Sequence, residues 1–152
     1  MTELTLSAIV SKRSRAKSDE FQALTDRYLA RAAHYMPAQA LNFESEDALS
    51  AWIAKAPGRA AAHAILFDPR GKTLTSDEFA HTLGRLRDDG AQRIVFAIGP
   101  ADGWSDQART RAAALVSFGR ITLPHELARV VAAEQIYRAL TILAGHPYHL
   151  GH

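Results

Sequence analysis

The residues best suited to chemistry gather in the last third of the chain. His125, Arg129, Glu134 and Arg138 fall on one helical stretch, and His146-Pro147-Tyr148-His149 follows directly. Arginines stabilise anions, carboxylates and imidazoles carry protons, and a tyrosine ring stacks on a flat ligand. A plainer account competes with each. Glu134 and Arg138 are four apart, so an intrahelical ion pair explains them. Two histidines three apart are half a metal site with no third ligand evident, so no metal is expected. Upstream, Phe67-Asp68-Pro69-Arg70-Gly71-Lys72 and Gly99-Pro100-Ala101-Asp102-Gly103 are loop-like. Their glycines admit close approach of a ligand to the backbone. The second is neither a P-loop nor a dinucleotide fingerprint, and a strand-to-helix turn accounts for it. Lys12, Arg13, Arg15 and Lys17 put four cations in six positions, as a phosphate-holding or simply solvated loop. His63, in an apolar strand, reads as structural.

The elements around these residues follow from periodicity. Leu4, Leu6, Ala8 and Val10 alternate as in a strand. Ser18 caps a helix with Phe21, Leu24 and Tyr28 on one face. A short strand is expected at Ala40–Phe43, then a helix from Ser45 burying Leu49, Trp52 and Ile53. His63–Phe67 is a buried-type strand. Thr75 and Glu78 form a capping box ahead of Phe79, Leu83 and Leu86, with Gly90 closing that helix. Ile94–Ile98 is the most apolar strand. Ser105 caps a helix carrying Ala108, Ala112 and Leu115. A fifth strand is expected near Arg120–Leu123, stopping at Pro124, and a last helix runs from about His125 to Ala144, with one buried stripe. Strand and helix alternate five times, which means an α/β parallel sheet with helices on both faces. Ligands bind at the carboxyl ends of such strands. Residues 67–72, 98–103 and 118–124 are therefore the default site.

Composition bounds the rest. The chain has 152 residues, room for a single domain over 1–152 with a real core. It has no cysteine, which excludes a disulfide framework, a zinc–thiolate site and a cysteine nucleophile. No stretch approaches the roughly 20 apolar residues of a membrane span, and the N-terminus lacks a secretion signal's order. A cytoplasmic protein without a membrane partner is expected. The net charge of +2 permits an anionic partner without demanding one.

One resemblance decides between these accounts. Ile121-Thr122-Leu123-Pro124-His125-Glu126-Leu127-Ala128-Arg129-Val130, then Ala133-Glu134-Gln135-Ile136-Tyr137-Arg138-Ala139, then His146-Pro147-Tyr148-His149 resembles the ribosomal RNA large subunit methyltransferase H family. The similarity extends over essentially the whole chain, including Val10-Ser11-Lys12, Asp68…Gly71-Lys72 and Gly99…Asp102-Gly103. It implies a SPOUT-type fold with a C-terminal trefoil knot, which periodicity does not show. It implies a homodimer that uses S-adenosylmethionine (S-adenosyl-L-methionine) to methylate ring nitrogen 3 of a pseudouridine in 23S ribosomal RNA, free or in the assembled ribosome.

By the same resemblance the cofactor contacts are Phe67, Gly99 and the run Phe118, Gly119, Arg120, Ile121, Thr122 and Leu123. Two departures stand out. Many relatives read Gly-Gly-Pro-Glu-Gly where this chain reads Gly99-Pro100-Ala101-Asp102-Gly103, so Pro100 removes an amide donor. Phe67 replaces a more usual aliphatic residue. The acceptor nitrogen must lose its proton, so Arg129 or Arg138 is expected to stabilise the anion, with His125, Glu134 or His149 as proton acceptors. Tyr148 positions or stacks on the base. The alternatives are methylation of another ribosomal or transfer RNA nucleotide, or a non-catalytic ribosome-binding factor.

Overall fold

The computed structural model describes residues 2–10, 19–55 and 58–150. Five strands and five helices alternate: β1 (Glu3–Ala8), α1 (Asp19–Ala32), β2 (Ala38–Ala40), α2 (Glu46–Ala54), β3 (His63–Thr73), α3 (Ser76–Asp88), β4 (Arg93–Ile98), α4 (Asp106–Arg111), β5 (Ala114–Ser117) and α5 (His125–Leu143). All pairings are parallel, in the order β2-β1-β4-β3-β5.

Alternation sends successive side chains to opposite faces. Leu4, Leu6, Ile65, Phe67, Ile94 and Phe96 pack under α1, α3 and α5, while Leu66, Val95 and Ala97 pack with Leu49 and Trp104 on the α2 and α4 side. β4 is buried along its length, hence its unbroken apolar run. Local signals start the helices as the sequence predicts. Ser45 and Ser105 accept backbone N–H bonds as N-caps, and Thr75 and Glu78 complete a capping box.

Five expectations need correction. The fifth strand lies at Ala114–Ser117, ahead of 120–123. Gly119 takes φ 104°, which breaks a strand, and Ile121 is 77% exposed. The helix after Ser105 therefore stops at Arg111, and Leu115 pairs with Leu66. β2 is Ala38–Ala40, with Phe43 reduced to an isolated bridge to Ile9. Residues 68–72 belong to β3: its pairing with β5 slips between Phe67 and Lys72, then resumes. α5 has no single buried stripe; Ala128, Val130, Ala132, Ile136 and Leu140 are all covered, since it lies between α1 and α3 above the sheet. The basic run Lys12–Lys17 and the Ser18 cap lie outside the described residues.

Two close approaches hold the carboxyl end of the sheet together. A Cβ on Gly71 would lie 2.5 Å from the Leu115–Val116 backbone, so only glycine lets β5 pass there. Asp68, 3% exposed, accepts from Arg109 Nε at 2.8 Å and from the Arg70 amide at 2.7 Å, tying the irregular part of β3 to α4. Burial pushes the Asp68 carboxyl up, but these bonds and the nearby guanidiniums hold it below the usual range.

Candidate active site

A cavity of about 250 Å³ opens where β3 and β5 end, bounded by the start of α3 and by Val131 and Gln135 of α5. Phe67 and Phe118 line it and stack on each other at 4.5 Å and 11°. Phe67 is held from behind by Phe79 and Phe96, and its carbonyl accepts from Trp104 Nε1 at 2.9 Å. Gly99 is needed at its own position because a Cβ would meet that same indole at 2.8 Å. Ser117 Oγ bonds both the amide and the carbonyl of Gly119, shaping the turn out of β5. Beyond it, the amides and carbonyls of 120–123 make no hydrogen bond within the protein among the described residues. The aromatic wall suits a ligand with a flat ring that stacks; of the expected cofactor contacts Phe67 and Phe118 line this cavity, whereas Gly99 and residues 119–123 lie outside its lining.

The expected catalytic residues divide into two groups. Arg129 and Arg138 are nine residues apart, which places them about 13.5 Å along the helix and on opposite sides of it. Glu134, Arg138, Tyr148 and His149 come together at the far end. Arg138 donates to both Glu134 oxygens, with Nη2 at 2.8 Å, and Tyr148 Oη donates to Glu134 Oε2 at 2.9 Å. Arg138 Nη1 lies 3.0 Å from His149 Nδ1. A guanidinium only donates, so Nδ1 accepts, and the other ring nitrogen, Nε2, lies 3.6 Å from an Asp77 carboxylate oxygen. Tyr148 packs edge-on against Tyr137 at 4.7 Å, beneath the guanidinium of Arg138 at 4.8 Å. The C-terminal segment is thus docked on α5.

Electrostatics sorts the roles in this group. Burial pushes the Glu134 carboxyl up, but the bonds from Arg138 and Tyr148 outweigh it and hold Glu134 below the usual carboxylate range. Burial, then the bond to Glu134, pushes the Tyr148 hydroxyl up to about 12. Bonding to Glu134 raises Arg138 above its ordinary value. The group holds fixed charges, and its one imidazole nitrogen able to take a proton is already bonded to Arg138.

His125 and Arg129 form the other group, at the first turn of α5. Arg129 is 8% exposed and donates to Gln22 of α1 at 2.5 Å. Burial and then the Arg129 charge push His125 down, so the ring is neutral near pH 7; the Gly99 and Ile9 backbones oppose this weakly, and Nε2 is buried without a partner.

Sequence reasoning missed the residues that link cavity and charge network. Gln135 lines the cavity, accepts from Ser76 Oγ at 2.7 Å and donates to Glu134 at 2.8 Å. The position of Gln135 beside Glu134 was the only available signal. Trp104 and the Asp68–Arg109 pair had none, because each spans about 40 residues. Among the described residues no group of three or more His, Asp or Glu is placed to hold a metal.

Comparison with known proteins agrees with this architecture. A family model described as predicted SPOUT methyltransferase matches residues 6–149. Ribosomal RNA large subunit methyltransferase H of Koribacter versatilis is 48% identical over 138 residues, 91% of this chain and 94% of the relative. The protein of the same name from Brucella anthropi is 54% identical over 85 residues, 56% of this chain and 53% of its own length. Among solved structures, a probable methylase family protein from Haemophilus influenzae superposes with a TM-score of 0.57 at 8% identity, covering 95% of this chain and 69% of that one. The SpoU methyltransferase AviRb from Streptomyces viridochromogenes, solved in complex with AdoMet, gives 0.52 at 14% identity, over 94% and 58%. Such distant likenesses speak to the fold alone. With the match over nearly its whole length and a relative almost half identical, the chain belongs to the SPOUT methyltransferase family.

Proposed function

We propose that this methyltransferase transfers a methyl group from S-adenosylmethionine to ring nitrogen 3 of a pseudouridine in large-subunit ribosomal RNA. The observation that carries the reading is the cavity at the ends of β3 and β5, with its Phe67–Phe118 wall. The names of the relatives supply the RNA class. The C-terminal trefoil knot belongs to the same reading, supported by family membership and by the tight passage of β5 across Gly71.

Phe67 and Phe118 would hold the adenine, and the amides and carbonyls of Phe118 to Leu123 would hold its edge and the ribose. Gly99 would lie behind that wall, seated against the Trp104 indole that bonds the Phe67 carbonyl. When bound, S-adenosylmethionine supplies a methyl group already activated by its sulfonium. The chain's own residues must align the acceptor, an arrangement that supplies roughly 7–11 kcal/mol, and must stabilise the anion left when the imide proton departs.

Arg138 suits that second task. Its orientation is fixed by Glu134 and His149, and one N–H on each Nη remains for a substrate oxygen. Glu134 acts as its positioning residue, and Tyr148 offers a ring edge to the base. His125 and Arg129 lie on the other side of α5, His125 against the Gly99 backbone and Arg129 on Gln22 of α1. Proton transfer to solvent water completes the step without a dedicated base. Titration calorimetry with S-adenosylmethionine is the first test: absence of saturable binding would sink the enzymatic reading. Assays on matched unmodified and pseudouridylated ribosomal RNA then test the target; equal methylation of both would redirect it to uridine.

We also assign a homodimer to this reading. Leu24 and Leu127 are exposed on α1 and α5, which lie side by side, and a two-fold contact would cover them while doubling the RNA footprint. No helix among the described residues is long and apolar enough to cross a membrane. A cytoplasmic location belongs to the same reading, supported by the proposed ribosomal RNA substrate.

A further inference from the structure

The end of the sheet opposite the cofactor cavity carries a second cleft, about 270 Å³, that the methyl-transfer chemistry does not use. It lies at the amino ends of β1 and β4, on the α2 side. Its floor is Arg93, the first residue of β4 and 7% exposed. Burying a guanidinium is costly unless it is paired. Arg93 donates from Nη2 to the Trp52 carbonyl at 3.1 Å and lies 4.5 Å from the Trp52 ring centroid, with no carboxylate against it among the described residues. Most of its five N–H donors are left over. Lys55 and Arg59 add two more cations. The single carboxylate, Glu3, is taken by Arg59 at 3.1 Å in a half-exposed pair. Thr5 Oγ1 accepts from Gln39 at 3.3 Å, which leaves the hydroxyl proton free to donate. Donors and positive charge thus converge on an open volume with no counter-charge at its floor.

We infer that this cleft is a binding site for a phosphate group, occupied by a backbone phosphate of the RNA substrate away from the methylated nucleotide. A planar guanidinium matches phosphate oxygens in a bidentate way, and the hydroxyl and amide complete the set. Arg93 and Gly99 are six positions apart along β4, roughly 20 Å at strand rise, and the cleft opens on the α2 side of the sheet whereas the cavity opens on the α3 and α5 side. The cleft therefore grips a stem flanking the target and sets the angle at which the target reaches the cofactor cavity. The RNA source rests on the function proposed above, whereas the phosphate site stands on its own geometry.

The experiment has two arms on the full chain. In the first, inorganic phosphate is titrated while the Arg93 side-chain Nε–H resonance is followed by NMR; saturable movement is expected. In the second, a ribosomal RNA hairpin is bound at several salt concentrations by the wild type, Lys55→Glu and Arg93→Gln, with Arg87→Glu on α3 as a control for net charge. The two cleft variants should bind about threefold to tenfold more weakly and lower the salt slope by about one, while calorimetric cofactor affinity is unchanged. Lys55 is exposed at the end of α2, so Lys55→Glu serves even if Arg93→Gln folds poorly. Phosphate binding with no change in the RNA salt slope overturns the RNA source and leaves a free phosphate as occupant. No response to phosphate, with RNA binding weakened no more than in Arg87→Glu, overturns the site itself. A protein that binds RNA through this cleft yet never binds S-adenosylmethionine would refute the proposed enzyme and spare the cleft.

Discussion

At the scale of single residues, fixed charge at the end of α5 contrasts with a neutral imidazole at its start. Arg138→Ala removes the proposed electrostatic stabiliser and should lower methyl transfer about 10²–10³-fold while calorimetric affinity for the cofactor stays within about threefold. Equal losses in both would mean that Arg138 builds the cofactor cavity instead. Because burial depresses His125 below its ordinary 6.5, the unfolded chain takes up a proton that the folded one refuses. Stability is therefore full above pH 6.5 and declines as the pH falls below it. His125→Asn should flatten that decline in urea titrations at pH 7.5 and about 5.5. Asp68→Ala leaves Arg109 with only the exposed Asp106 carboxylate and should cost roughly 2–4 kcal/mol in the same assay. The Glu134–Arg138 pair was legible from its spacing of four. The docking of Tyr148 and His149 onto it was not, since a turn at Gly145 and contacts with a different helix set it.

At the scale of elements, the strongly local signals read correctly and the pairing-dependent ones did not. Ser45, Thr75 and Ser105 announce helices because a cap is a bond to a backbone two or three residues on. The position of β5 depends on which residues reach β3, and the alternation Ile121–Leu123 imitated a strand with no neighbour to pair with. The continuation of β3 through Asp68-Pro69-Arg70-Gly71 was equally hidden, because turn-forming residues there are held extended by β5 and by Arg109. Gly71→Ala tests that crossing: a methyl group forced against the β5 backbone should cost about 3 kcal/mol and lower Tm by roughly 6–12 °C. An unchanged melting curve would mean that β5 shifts freely at that point.

At the scale of the molecule, alternating strand and helix signals were enough to give a parallel sheet covered on both sides, and the strand order was beyond them. The proposed dimer has a direct check. The wild type should sediment as a dimer at micromolar concentration, and Leu127→Asp should shift it to monomer, since a carboxylate there would be buried unpaired. The strand order also has a temporal consequence. Glu3 pairs with Arg93, ninety positions later, so the middle of the sheet stays open until most of the polypeptide exists. At about 5–20 residues per second on the ribosome, β1 waits some 5–18 s for β4. Throughout that interval the nascent chain has only the three-residue β2 to shield one side of β1, so chaperone engagement at this stage should govern yield more than the final stability does.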